Sequence, residues 1–188
     1  MIMEKGEIRK VILQKRLALS DGEVNSLSEK ITQYALGMEQ IKNAGTIAAY
    51  IPFANEADTS AIIAGLWESG KHVCVPVVEG ENMRFAKLTP LTQLKKNLSG
   101  IAQPCVPEFI EHSKIDLFLV PGIAFAKNGE RIGTGKGFYD RFFGLNKIGA
   151  LKIGMCFGFQ IVAKIPHEMH DVKMDFIITE HGIIAKSK

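Results

Sequence analysis

Residues 115–121 read IDLFLVP, an almost uninterrupted apolar run closed by proline. A strand with one wet face alternates apolar and polar residues, whereas a strand covered on both faces is apolar throughout. So short a run, ended by Pro121 and Gly122, fits a strand better than a helix. It predicts a central strand with helices on both sides of its sheet. Similar runs lie around it: TIAAYIP (46–52), HVCVPVV (72–78) and MRFAKL (83–88) before it, KIGMCFG (152–158) and DFIITE (175–180) after it.

Helical signals separate these runs. Residues 4–18 bring Ile8, Val11 and Ile12 together at helical spacing, with Lys5 and Arg9 four apart on another face. SDGE at 20–23 is a capping box, and Val24, Leu27, Ile31, Ala35 and Met38 continue its helix until Asn43 to Gly45 stop it. Asp58 or Thr59 caps a third helix that runs through Trp67 and ends at Gly70, and GFYDRFF (137–143) opens a fourth. A further helix is expected between KIGMCFG and DFIITE, while residues 90–113 read as polar and irregular. This alternation predicts a three-layer α/β/α sandwich around a mostly parallel sheet. Without a repeat, a low-complexity segment or a long linker, residues 1–188 read as a single domain.

The 188 residues are enough to bury a substantial core, and 46% apolar with 23% charged residues is a globular rather than a disordered composition. A formal charge of +3 does not by itself imply nucleic-acid binding, although Lys5, Arg9, Lys10, Lys15 and Arg16 crowd the amino end. No apolar run reaches the roughly 20 residues that span a bilayer, and MIMEKGEIRK lacks the apolar stretch of a secretory signal. A cytoplasmic protein with no membrane or nucleic-acid partner is the expectation. Cys74, Cys105 and Cys156 are odd in number and mostly in apolar surroundings, so they read as buried free thiols.

Residues 131–140, RIGTGKGFYD, place glycine at 133, 135 and 137. Glycine tolerates positive φ and lets other groups approach the backbone, at an entropic cost. The stretch reads either as a nest of amide N–H groups around an anion, with Lys136 as a mobile charge, or as a flexible turn. It matches neither GxxxxGK[ST], because Gly137 follows Lys136, nor GxGxxG, because Phe138 holds the last glycine position. Its place after IDLFLVP, where ligands of open α/β sheets bind, favours the nest.

The longer stretch LVPGIAFAKNGERIGTGKGFYDRFF (119–143) closely resembles the signature of the 5-formyltetrahydrofolate cyclo-ligase, or methenyltetrahydrofolate synthetase, family. KGEIRKVILQKR with LSDGEV near the start, YIPFANEADTSAII, and IPHEMHDVKMDFIITE extend the likeness in the family's order over nearly the whole chain. The resemblance implies ATP- and magnesium-dependent closure of 5-formyltetrahydrofolate to 5,10-methenyltetrahydrofolate, with release of ADP and phosphate. It implies phosphorylation of the formyl oxygen and then attack by the bridge nitrogen. Reduced folate and ATP are the implied partners of a monomeric enzyme.

By the same resemblance, Lys5 and Arg9 match a basic pair for ATP. Arg131, Ile132, Gly133, Thr134, Gly135, Lys136, Gly137, Phe138 and Tyr139 match the nucleotide cradle, with Arg131 and Lys136 as the catalytic cations. Thr134 to Phe138 also border the folate, together with Ile51 and Glu56, whose carboxylate suits the N–H edge of a pterin. Asp140 and Asp171 match magnesium ligands, and magnesium accepts a few carboxylate oxygens beside waters and phosphates. Taken alone, Lys5 and Arg9 read as a solvated helix face, Glu56 as a loop acid, Asp140 as a helix-start carboxylate and Asp171 as a turn residue. Tyr139 can stack on a ring or pack, and His167 and His170 lack the HExxH arrangement and read as surface residues. Ala126 and Gln103 stand where the family often has aspartate and glutamate, Lys136 replaces a frequent glycine and Phe138 a frequent tyrosine. A folate or nucleotide binder without turnover, and an RNA-binding module using the basic helix, are the competing classes.

Overall fold

The computed structural model describes residues 3–146 and 148–187. Its helices are α1 (Lys5–Leu17), α2 (Asp21–Gly37), α3 (Glu39–Asn43), α4 (Ser60–Glu68) and α5 (Phe138–Asn146). Its strands are β1 (Thr46–Ala48), β2 (His72–Glu79), β3 (Asn82–Leu88), β4 (Leu94–Lys96), β5 (Ala102–Pro104), β6 (Phe109–Ile110) and β7 (Leu117–Pro121). They continue with β8 (Ala124–Ala126), β9 (Arg131–Ile132), β10 (Leu151–Met155), β11 (Ile161–Val162), β12 (Phe176–Thr179) and β13 (Gly182–Ala185).

The main sheet has the order β13-β12-β10-β7-β1-β2-β3-β6. The strands from β12 to β2 run parallel, and the antiparallel partners β13, β3 and β6 close its edges. IDLFLVP supplies β7, which is central and buried as its composition requires. Alternate residues take opposite faces. Ile47, Val73, Leu117, Leu119 and Ile153 meet Ile31, Ala35, Ile41, Ile62 and Leu66 from α2, α3 and α4. Ala48, Cys74, Phe118, Val120 and Ile177 meet Phe142 and Phe143 of α5. The result is a mixed α/β fold with helices on both faces of a mostly parallel sheet.

Aromatic packing fixes α5. Phe118 lies edge-on to Phe143 with ring centroids 5.2 Å apart, and Phe85 lies 5.0 Å from Phe142. These contacts hold the start of α5, and with it the glycine loop, over the end of the sheet. On another side, Ile8 and Ile12 of α1 pack against Ile123, Ala124, Ile132 and Ile165. Val11, placed on the same helical face by spacing, is 41% exposed.

Four other readings change. Helix α2 ends at Gly37 because Met38 turns extended and buries its side chain, and α3 is a separate turn of helix before Gly45. No α-helix joins β10 to β12 among the described residues. A 3-10 turn at Gly158–Gln160, β11 and a loop containing Pro166 make that crossover, and Ile165 packs on α1 instead of joining a helical stripe. The polar stretch around 90–113 contains the hairpin of β4 and β5 and the edge strand β6. Such strands of two or three residues are too short to show alternation. Cys74 and Cys156 are buried thiols, but Cys105 is only half-buried.

The capping box at the start of α2 forms as its sequence requires: the Glu23 N–H donates to Ser20 Oγ at 3.3 Å, and the Ser20 N–H to Glu23 Oε2 at 2.9 Å. No helix among the described residues is long and apolar enough to cross a membrane.

Candidate active site

Beyond the carboxyl ends of β1 and β7 lies a cavity of about 250 Å³. Tyr50, Ile51, Phe53 and Glu56 from the loop after β1 form one wall, and Pro121, Gly122 and Arg131 its floor. Residues Asn97 to Gln103 of the β4–β5 hairpin face the glycine loop, which contributes Gly133, Thr134 and the segment from Lys136 to Asp140. Lys136 spans the mouth, its Nζ donating to Ser99 Oγ at 2.9 Å.

The glycines of the loop face arginines. A Cβ on Gly133 would stand 2.9 Å from Arg131 Nη1, one on Gly137 would stand 3.1 Å from Arg141 Nη1, and one on Gly135 would touch the Arg9 guanidinium at 3.6 Å. Gly135 and Gly137 also have φ of +102° and +63°, which other residues rarely adopt. The guanidinium groups brace the loop: Arg9 Nε donates to the Gly133 carbonyl at 3.0 Å and Arg141 Nη1 to the Lys136 carbonyl at 2.7 Å. Among the described residues, the backbone N–H groups from Thr134 to Gly137 donate to no protein acceptor. Free amide donors, a helix start and surrounding cations are the chemistry that suits an anion.

The carboxylates occupy two depths. Glu56 lies deep, its Oε2 accepting from the Phe53 N–H at 3.2 Å and its Oε1 3.8 Å from the Arg16 guanidinium. Burial raises the Glu56 pKa to about 7, against the opposing pull of Arg16 and the Phe53 N–H. The backbone reaches this carboxylate through Ala54 and Asn55, both at positive φ. Asp140 accepts from Arg131 Nη2 at 2.9 Å and from the Val172 N–H at 3.3 Å. Asp171 is outside the cavity lining, 2.6 Å from Lys5 Nζ, which also lies 3.0 Å from Glu168. Burial opposes the charge on both partners and is the largest single influence, but their hydrogen bond, those involving Glu168 and the nearby charges together outweigh it, raising the Lys5 pKa and lowering that of Asp171.

Ile51, Glu56, Arg131, Gly133, Thr134, Lys136, Gly137, Phe138, Tyr139 and Asp140 thus share one cavity. Lys5, Arg9, Gly135 and Asp171 do not line it; Arg9 and Gly135 meet on the α1 side of the loop. Ile132 is 2% exposed in the core against α1, and its carbonyl accepts from the Ile123 N–H at 2.7 Å, so it does not line the cavity. Tyr139 packs on Phe143 at 5.9 Å, and burial raises the pKa of its hydroxyl, which has no hydrogen-bond partner among the described residues.

Residues 1–180 match the family model of the 5-formyltetrahydrofolate cyclo-ligases. The chain belongs to this family. The cyclo-ligase of Haemophilus influenzae is 30% identical over 177 residues, covering 91% of this chain and 95% of that protein. That of Mycoplasma genitalium is 32% identical over 183 residues, with 94% and 98% covered. Among solved cyclo-ligase folds, the 5,10-methenyltetrahydrofolate synthetase of Aquifex aeolicus superposes with a TM-score of 0.86 at 31% identity, covering 99% of this chain and 94% of that one. The corresponding enzyme of Mycoplasma pneumoniae gives 0.78 at 30% identity, with 95% and 99% covered.

Within this cyclo-ligase chain, Arg16, Arg141, Asn97 and Ser99 are site neighbours that sequence reasoning did not assign, whereas Gln103, singled out there as a departure from the family pattern with altered substrate contact as its reading, lines the cavity. Arg16 carried a signal: Ile8, Ile12 and Arg16 follow one another at four-residue intervals on the buried stripe of α1. A charge at a core position calls for a buried partner.

Proposed function

We propose that this chain, acting as one domain, closes 5-formyltetrahydrofolate to 5,10-methenyltetrahydrofolate with ATP as phosphoryl donor and magnesium as metal. The observation that carries this reading is the glycine loop: unpaired backbone N–H groups beside Arg9, Arg131, Lys136 and Arg141, bordering a cavity that holds the buried Glu56. The loop suits a phosphate chain, and the cavity suits a flat heteroaromatic group with N–H donors for Glu56.

The formyl oxygen attacks the terminal phosphorus of ATP, an O–P bond forms and ADP leaves. The bridge nitrogen then attacks the activated carbon, its C–O bond breaks, and the oxygen and the nitrogen's proton leave as inorganic phosphate. Lys136 and Arg131 stabilise the negative charge on the transferring group, and Lys5 and Arg9 hold the remaining phosphates. Arg131 also sets the orientation of Asp140 through their 2.9 Å bond. Tyr139 and Phe138 shield the reacting carbon from water.

The donor chemistry fits a hard divalent ion. Asp140 and Asp171 offer carboxylate oxygens from two segments joined by the Val172 N–H bond to Asp140, and each now faces a cation that phosphate oxygens can recruit. Magnesium bound there supplies charge neutralisation to the phosphates.

The test is the ring-closure assay with 5-formyltetrahydrofolate, ATP and magnesium. Absorbance of the methenyl product should appear with one ADP released per product and should stop when the metal is chelated. Saturable folate binding without turnover would assign the chain to ligand binding instead.

A further inference from the structure

The β4–β5 hairpin carries a chain of amides whose polarity the backbone decides. Asn97 Oδ1 accepts from the Ser99 N–H at 2.9 Å and from the Ile101 N–H at 3.1 Å. Backbone N–H groups can only donate, so the Asn97 oxygen must face them and its Nδ2 must point away. That Nδ2 donates to Gln103 Oε1 at 3.3 Å, where the Val78 N–H from β2 also donates at 3.3 Å. Reversing the Gln103 amide would set its NH2 group against two donors. Its orientation is therefore fixed, and the Nε2 is left over.

Gln103 is only 9% exposed, yet it lines the cavity opposite the glycine loop, and its Nε2 has no acceptor among the described residues. A buried amide held by its oxygen and open at its nitrogen is a donor awaiting an acceptor. Glu56, from another wall of the same cavity, is an acceptor. The two side chains give the cavity opposite hydrogen-bonding polarities on two walls.

We propose that Gln103 is a substrate-specificity residue that donates a hydrogen bond from Nε2 to a ring or amide carbonyl oxygen of the reduced folate. This inference rests on the cyclo-ligase reading above. A carbonyl that loses this donor on entering the cavity stays desolvated and unpaired, so the penalty falls on folate affinity and not on ATP. A ring or amide carbonyl takes no part in the bond changes, so a donor to it contacts ground state and transition state alike and its loss appears in KM rather than kcat.

Two variants test this. Gln103→Met removes the NH2 donor and keeps the length of the side chain; Gln103→Leu removes the donor with a branched apolar group. Direct titration of 5-formyltetrahydrofolate at pH 8 should weaken about tenfold in both, and the folate KM should rise in proportion. The ATP KM and kcat should stay within about twofold of wild type. Repeating the titration with 5-methyltetrahydrofolate, which lacks the formyl oxygen, tests the acceptor: an unchanged penalty supports a ring or amide carbonyl, and loss of the penalty would place the donor on the reacting formyl oxygen and overturn the inference. Wild-type folate affinity in both variants would overturn the inference while leaving the enzyme reading intact. A weakening of ATP use equal to that of folate would also overturn it. A wild-type protein that neither binds nor turns over 5-formyltetrahydrofolate would overturn both readings.

Discussion

The Arg16 guanidinium lies 3.8 Å from the Glu56 carboxylate, and both are withdrawn from solvent, with side-chain exposures of 2% and 12%. Arg16 comes from α1 and Glu56 from the loop after β1, so the pair ties the amino-terminal helix to the cavity wall. Arg16 Nη1 also donates to the Gly122 carbonyl at 3.2 Å, at the end of β7. One buried cation thus links three segments of the site. Asn55 reinforces the junction by donating from Nδ2 to the Arg16 and Leu19 carbonyls.

Arg16→Met should destabilise the protein by about 3 kcal/mol, because it leaves a buried carboxylate without its counter-charge. Adding Glu56→Gln to that variant should cost much less than the sum of the single changes, with a coupling above about 1 kcal/mol. Urea denaturation of the four proteins in the cycle checks this, and additive effects would remove the pair from the stability of the site.

Stability should depend on pH through Glu56. Its folded pKa of about 7 exceeds the ordinary value of 4.5, so between those values the native state binds more protons than the unfolded chain. Stability from this group is therefore fully present below about pH 4.5 and declines as pH rises to about 7, by up to about 3 kcal/mol. Glu56→Gln should flatten this part of the profile, lower stability by removing the counter-charge of the buried Arg16, and weaken folate binding. Parallel wild-type and variant profiles from pH 4.5 to pH 8 would assign the dependence to other groups.

Asp140→Asn keeps a hydrogen-bond partner for Arg131 but loses a negative charge. The magnesium concentration for half-maximal ring closure should rise about tenfold or more, while Tm changes by only a few degrees. A metal titration of turnover, beside a thermal melt, separates the two effects. Unchanged metal dependence would mean that Asp140 serves only to orient Arg131.

Gly135→Ala introduces a Cβ where φ is +102° and the Arg9 guanidinium lies 3.6 Å away. The strain should cost about 1–2 kcal/mol locally and raise the ATP KM several-fold, with the folate KM unchanged because Gly135 does not line the cavity. Steady-state kinetics against each substrate in turn would show the split, and an equal rise in both would place Gly135 in the folate site.

Much of the fold was legible because its signals are local. IDLFLVP could be covered on both faces only inside a sheet, and SDGE satisfies its own helix end within four residues. The crossover after β10 was misread because Ile161, Val162 and Ile165 are apolar for separate reasons: the first two form β11 beside β8, and the third packs on α1. Among the site residues, the glycine loop and Asp140 stand close together in sequence, so their grouping could be read directly.

The amino-acid sequence by itself determined the central strands, the glycine-rich turn and the family pattern, since each depends on residues near one another along the chain. Only the tertiary structure decided that Arg16 is buried against Glu56, that Arg9 meets the glycine loop at Gly135, and that the amide of Gln103 is held by Val78. These relations join segments 25 to 126 residues apart, such as Gln103 to Val78 and Arg9 to Gly135. Their strength comes from desolvation and from the geometry of shared hydrogen bonds, which exist only once the sheet has brought those segments together.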